Sequence, residues 1–259
     1  MSYYDKGEWK YPSVTTVISD CTDKSQALIS WGVNCACDYI LKELSLLDIR
    51  TPTDDVLLGI IKSARRKYRE ISQEALDVGS EVHTAIEVFL KREIARKGDG
   101  DLHWDITDPV YAKLSGQAMK AFNAFNAWHK EHELKPIAIE QTVYGDCWGG
   151  TLDFIGYYDG KLYVIDWKSS AGFYPEMRYQ VAAYRWALGF VPVEDCEVPH
   201  MALIEGCGIL RLDKKTGIPK FHDTSKSYER DIAVFKAMVK LYFSRHPVVA
   251  RRAGWKTPF

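Results

Sequence analysis

TLDFIGYYDGKLYVIDWKSS, Thr151–Ser170, reads as two strands folded on each other. Both runs are rich in β-branched and aromatic residues, and Asp159-Gly160 between them is a two-residue hairpin signal. Asp153 lies six residues before Asp159, and Asp166 lies six after Gly160. The fold-back therefore sets these two acids on neighbouring strands, with Lys168 close by. A buried strand should not end in Asp166-x-Lys168 unless both charges have work to do. One reading is a cross-strand acid pair with Lys168 neutralising one member. The other is a cation site, because two close carboxylates repel unless a cation lies between them. Such hard oxygen ligands suit Mg²⁺ or Mn²⁺, and a nearby ammonium can orient an attacking water.

Outward from this hairpin the pattern changes period. IAIEQTVYG, after Lys135-Pro136, reads as one more strand before the pair. Upstream the spacing is helical: Ser25 to about Asp48, a second helix from Asp54-Asp55 through IIKSARRKYREIS, a third over about Glu74–Arg96 ending at KGDG, and a fourth from Asp108-Pro109 to about Glu133. Downstream, Tyr174–Gly189 reads as a helix, MALIEG and GILRLD as a hairpin, and Ser227–Phe243 as a closing helix. The fold class this predicts is α/β, with a central mixed sheet, flanking helices and a helical N-terminal layer. One domain over 1–259 is expected, with 1–135 the mainly helical layer and 136–259 the α/β core.

Composition bounds the partners. The 259 residues carry a net charge of −1, with 46% hydrophobic and 27% charged residues. Any contact with a polyanion must come from local patches. MSYYDKGEWK has no apolar signal region, and no run approaches the ~20 apolar residues of a membrane span. A cytoplasmic protein, with no membrane partner, is the expectation. The six cysteines form no CxxC pair, so free thiols are expected.

Other residues carry weaker signals. Gly79, His83 and Glu87 share one helix face at i, i+4, i+8, with His83 a satisfied histidine or a ligand. Gln180 and Tyr184 are spaced i, i+4 on the helix after Asp166-x-Lys168, where Tyr184 alone would read as core. His129 and His132 invite a zinc reading, but lack a third ligand and read as a solvated helix end. ARRKYR (Ala64–Arg69) and ARRAGWK (Ala250–Lys256) interleave basic and aromatic residues, as phosphate-holding and base-stacking patches do, and a solvated helix face explains the first equally. Lys214 and Lys215 sit in a hairpin turn.

Taken together and in order, the motifs GSEVH (Gly79–His83), GTLD (Gly150–Asp153), DWK (Asp166–Lys168) and QVAAY (Gln180–Tyr184) resemble the RecB-like branch of the PD-(D/E)XK nuclease superfamily. YPSVTTVIS and the helix around Trp31 resemble the mitochondrial genome maintenance exonucleases and related phage exonucleases, so that the likeness runs from Tyr11 to about Tyr184. The resemblance implies a restriction-endonuclease-like core and an Mg²⁺- or Mn²⁺-dependent exonuclease that hydrolyses phosphodiester bonds at DNA ends in replication, repair or recombination. It implies metal ligation by His83, Asp153, Asp166 and the Trp167 backbone carbonyl, water positioning by Lys168, and a supporting role for Gln180 and Tyr184. Glu140 is implied as a residue beside the ligands or at a second metal, and Glu87 more weakly so. Arg65, Arg66, Lys67, Arg69 and Arg178 are candidate DNA contacts. The chain departs from the pattern in using Asp166 where the superfamily name allows Glu. It also departs from cluster-bearing relatives, since only Cys196 and Cys207 follow Gln180, so no iron–sulfur cluster is expected. A bacterial or phage-infected cytoplasm, a recombination or replication partner protein and an oligomer fit the same resemblance. The rival readings are an endonuclease on the same fold and an inactive DNA-binding member.

Overall fold

The computed structural model describes residues 2–47, 52–95, 108–190 and 203–255. The chain divides into two compact units, one of Met1–Thr22 with Gly79–Phe259 and one of Asp23–Val78.

In the larger unit, β1 (Tyr3–Lys6) and β2 (Trp9–Pro12) form a hairpin whose turn needs the positive φ of Gly7. Ser13 then caps α1 (Val14–Cys21), its Oγ accepting from the Thr16 N–H at 3.0 Å. The smaller unit contains α2 (Ser25–Leu46) and the first part of α3 (Asp54–Ala95). The two helices expected over this second stretch are one helix. ISQEALDV holds neither Gly nor Pro, so nothing interrupts the hydrogen-bond ladder where the apolar face shifts. KGDG lies outside the described residues. The helix expected from Asp108 to Glu133 is instead broken in two, α4 (Pro109–Ala112) and α5 (Gly116–Glu131). Ser115 restarts it: its Oγ accepts from the Ala118 N–H, while its own N–H donates to Glu81 Oε2 at 2.7 Å.

Among the described residues the sheet has five strands in the order β3 (Leu134–Tyr144), β4 (Gly149–Tyr158), β5 (Lys161–Lys168), β6 (Gly206–Leu212), β7 (Pro219–Asp223). Neighbours are antiparallel except β5 and β6, which makes the sheet mixed. Asp159 (φ 47°) and Gly160 (φ 80°) turn the β4–β5 hairpin as the sequence predicts. Between β5 and β6 runs α6 (Pro175–Ala187). The hairpin expected between MALIEG and GILRLD is not formed. Met201 and Ala202 lie outside the described residues. The Glu205 N–H donates to the Leu162 carbonyl at 2.9 Å, so the chain enters β6 alongside the start of β5. The antiparallel partner of β6 is β7, across a turn that contains Lys214 and Lys215 and in which Asp213 Oδ1 accepts from the Lys215 and Thr216 N–H groups. The chain closes with α7 (Tyr228–Arg245) and α8 (Pro247–Arg252).

One face of the sheet packs against α1, α6 and α7 through Leu152, Val164, Val181, Tyr184, Ile209, Phe235 and their neighbours. On the other, Phe125 and Trp128 of α5 meet Trp167, with Phe154 and Phe221 beside them. Phe89 of α3 packs edge-on to Phe122 and Phe125. The result is an α/β fold with helices on both faces of a mixed sheet. Among the described residues no helix is long and apolar enough to cross a membrane.

Candidate metal centre

The site forms where β4 and β5 part. Their ladder ends at Phe154↔Ile165, so the next positions in register are Asp153 and Asp166. No backbone pair forms there. The Trp167 N–H donates instead to Asp153 Oδ2 at 2.7 Å, a side chain taking over from the ladder. Beyond that point β5 stays in the sheet by pairing with β6, from Asp166↔Ile209 to Lys168↔Arg211. β3 flanks Asp153 on its other side. Ile139 pairs with Phe154 and Gln141 with Leu152, which leaves Glu140 opposite Asp153 without a pair of its own. Glu140 has φ 51°, a left-handed conformation that costs a non-glycine residue about 1–3 kcal/mol and persists where its surroundings enforce it.

His83 on α3 completes the group. Its Nδ1 lies 3.6 Å from Asp153 Oδ1 and 3.7 Å from Glu140 Oε1. Its Nε2 lies 3.1 Å from the Trp167 carbonyl, so Nε2–H donates there and Nδ1 is left to face the carboxylates. One ligand atom from each of His83, Glu140 and Asp153 falls within 4.8 Å of the others. Asp166 is 1% exposed, and its Oδ2 lies 2.5 Å from Lys168 Nζ. The Lys168 ammonium is the charged partner of this buried carboxylate. Gln180 Nε2 donates to the Tyr184 hydroxyl at 2.9 Å, and the buried Tyr184 ring lies against Gly150, where a Cβ would meet its Cε1 at 2.5 Å. Gly79 leaves room for Ser169, just past β5, whose Oγ would stand 3.4 Å from an added Cβ.

The charges are strongly coupled. Burial works against a charged His83, but Asp153 and Glu140 outweigh it and lift the imidazole to about 9. Burial pushes the Asp166 carboxyl up to about 6, against the pull of Lys168 and with the repulsion of Asp153. Burial disfavours the Lys168 ammonium too, yet Asp166 and Asp153 leave it above its ordinary value. Burial raises the Tyr184 phenol, and the Asp166 charge adds to that.

An imidazole nitrogen and two carboxylate oxygens form a donor set that could hold a divalent cation. The His83 Nε2–H contact with the Trp167 carbonyl, which leaves Nδ1 facing the carboxylates, supports the same fit. Glu140 thus stands within the three-residue cluster, and Asp166 with Lys168 forms a pair beside it. The Trp167 carbonyl has its second lone pair left beyond its bond to His83.

The remaining sequence-predicted residues are placed elsewhere. Glu87 pairs with Lys91 at 2.6 Å on α3. Arg178 of α6 has its Nε 3.6 Å from the buried Asp231 of α7. Arg65 and Arg66 are exposed in the smaller unit. Lys67 there pairs with Glu70 at 2.8 Å, and Arg69 Nε donates to the Tyr68 hydroxyl. His129 and His132 have separate acidic partners, Glu93 and Asp159. His129 also packs against Phe89 and Phe125, so a solvated helix end does not describe it. Trp255 packs on Phe243, and Lys256 lies outside the described residues. Cys21, Cys35, Cys37, Cys147 and Cys207 are free thiols, and Cys196 lies outside the described residues.

Compared with known proteins, the chain matches no family model and no curated protein.

Proposed function

We propose that this site hydrolyses phosphodiester bonds of DNA with a divalent cation, Mg²⁺ or Mn²⁺, acting from DNA ends on a PD-(D/E)XK nuclease core. The observation that carries the proposal is the convergence of His83, Glu140 and Asp153 beside the buried Asp166–Lys168 pair. His83 Nδ1, Glu140 and Asp153 would hold the ion, with Asp166 in reach as a further carboxylate. The ion would supply Lewis acidity toward a phosphoryl oxygen. Lys168, kept charged by Asp166 and Asp153, offers an ammonium to an attacking water or to the charge that develops on the phosphate. Trp167 holds the site from both backbone atoms: its N–H orients Asp153 and its carbonyl fixes His83. Tyr184 is buried and tied to Gln180, and its phenol feels the Asp166 charge. DNA as substrate and attack from ends rest on the resemblance of the four ordered motifs.

The close Asp166–Lys168 contact also favours a second reading, a purely structural ion pair. One experiment separates the two. Linear and circular DNA, single- and double-stranded, are incubated with Mg²⁺ or Mn²⁺ and either the wild type or Lys168→Ala. Loss of linear DNA with intact circles and an inert variant supports the exonuclease. Cut circles move the function to an endonuclease. No cleavage of any substrate with either ion refutes the nuclease reading.

A further inference from the structure

ARRAGWK, Ala250–Lys256, is a basic and aromatic run that the metal centre leaves without a role. Its own aromatic, Trp255, turns inward, its ring centroid 5.1 Å from that of Phe243. The aromatic that reaches the arginines is Trp9, because β2 packs on α8. Three adjacent ring atoms of Trp9, Cδ2, Cε3 and Cζ3, stand 3.1–3.2 Å from where a Cβ on Gly254 would project. The Gly254 backbone, at φ 65°, therefore lies under the face of the indole and not at its edge. Among the described residues no second ring and no cation lies on the other face, and Trp9 is 39% exposed. An indole clamped on one face and open on the other is a stacking platform.

The charges beside it are free. Arg251 and Arg252 end α8, both are exposed, and neither has an ion pair or a side-chain hydrogen bond among the described residues. The β1–β2 register sets Lys6 beside Trp9, with Tyr4 and Tyr11 on the same face of the hairpin. The Lys6 ammonium lies 5.3 Å over the Tyr144 ring. Tyr4 meets Tyr144 edge-on and shares a 3.1 Å hydrogen bond with Thr151 Oγ1, two residues before Asp153. Asp5 and Lys10 pair with each other on the opposite face, 4.0 Å apart, and Glu8 stands exposed in the turn. The hairpin thus joins the strand of the metal centre to the arginines of α8 through aromatic and basic side chains.

We propose that Trp9, Arg251 and Arg252 form a second contact for the DNA strand, holding a single-stranded stretch away from the metal centre. The indole stacks on an unpaired base, and the two guanidinium groups take the flanking phosphates. The choice of DNA rests on the nuclease reading of the metal centre. With a net charge of −1, the chain has no general field to attract a polyanion, so local groups such as these must do it. Bases inside a duplex are already stacked on one another, so an open indole face selects an unpaired strand. An anionic lipid surface also attracts arginine and tryptophan, but the continuity of the patch with the strand of Asp153 favours the nucleic acid.

The test is fluorescence anisotropy of a labelled oligothymidine of about 20 nucleotides with the full chain, from about 50 to about 200 mM salt, in EDTA so that no cleavage intervenes. Trp9→Ala should weaken binding about tenfold with the salt dependence unchanged, and should leave binding to a duplex of the same length as it was. Arg251→Gln together with Arg252→Gln should flatten the slope of log K against log salt by about 1.4, at about 0.7 for each lost phosphate contact. Glu8→Lys, at its exposed turn position, should tighten binding and steepen the slope by about 0.7, a gain that misfolding does not imitate. A wild type that binds no oligonucleotide, or variants that bind as the wild type does, overturns the proposal whether or not DNA is cleaved once Mg²⁺ is added. Loss of binding to phosphatidylserine vesicles in Trp9→Ala, with oligonucleotide binding untouched, overturns it in favour of a membrane surface. Oligonucleotide binding that responds to these variants, in a chain that cleaves nothing with Mg²⁺ or Mn²⁺, defeats the nuclease reading and leaves this surface standing.

Discussion

If His83 binds a cation through Nδ1, the ion must displace a proton, because the two carboxylates hold the imidazole charged up to about pH 9. Between about pH 6.5 and 9, one proton should leave for each ion bound. The logarithm of the association constant should then rise by about one per pH unit. From pH 6.5 to 8.5 that is about a hundredfold, or ~2.7 kcal/mol at 1.36 kcal/mol per unit. Below about pH 6 the slope should steepen, because the Asp166 carboxyl begins to take up its own proton. The assay is calorimetric titration of Mn²⁺ at pH 7.5 in two buffers of different ionisation enthalpy. The difference in apparent heat counts the protons released, and the expected count is close to one. In His83→Gln it should fall near zero, binding should weaken, and the slope with pH should flatten. A wild type that releases no proton, or a His83→Gln variant that keeps the full slope, would refute the ligand assignment.

Further outcomes follow from the same geometry. The raised His83 value also affects folding: the charged imidazole stabilises the fold fully below its ordinary 6.5, and that contribution is lost as pH rises through about 9, so without added metal the stability measured by urea denaturation should fall over this window by an amount on the order of 3 kcal/mol, and not in His83→Gln. Lys168→Met strands a carboxylate that is 1% exposed, and urea denaturation should show a loss of about 3–5 kcal/mol at neutral pH. Adding Asp166→Asn to Lys168→Met removes both charges and should recover most of that loss while leaving the protein inactive. Gly150→Ala drives a methyl into Tyr184, so denaturation should register about 1–3 kcal/mol, with part restored when Tyr184→Leu is added.

Much of the fold was legible because it rests on local chemistry. The Asp159-Gly160 turn specifies its hairpin and hence the register that sets Asp153 against Asp166. The shift from a helical to a strand period at Lys135-Pro136 marks the start of the sheet to within two residues. Two of the misread boundaries are decided by distant contacts, whereas the join of two expected helices into α3 is local, since ISQEALDV holds no breaker. The break before α5 depends on Glu81, 34 residues earlier, accepting the Ser115 N–H. The entry into β6 depends on Glu205 finding Leu162 across the sheet. No local pattern carries either signal.

The site follows the same division, and this gives the position of Glu140 its meaning. Asp153, Asp166 and Lys168 are readable because one hairpin joins them, whereas His83 comes from a helix about seventy residues away. Glu140 belongs to neither class. By simple alternation it is one more residue of IAIEQTV, and only the register of β3 against β4 sets it opposite Asp153. Its left-handed backbone is what a strand-forming sequence cannot announce, since nothing about a glutamate between Ile139 and Gln141 favours φ 51°. The strain is tolerated between Ile139 and Gln141, which both keep their register with β4. A conformation costing about 1–3 kcal/mol, held beside two carboxylates and an imidazole, is where a cation would return the expense. The strain and the charge repulsion therefore point to one occupant: bound cation should stabilise the wild type more than Glu140→Gly, which relieves the backbone and removes a ligand together.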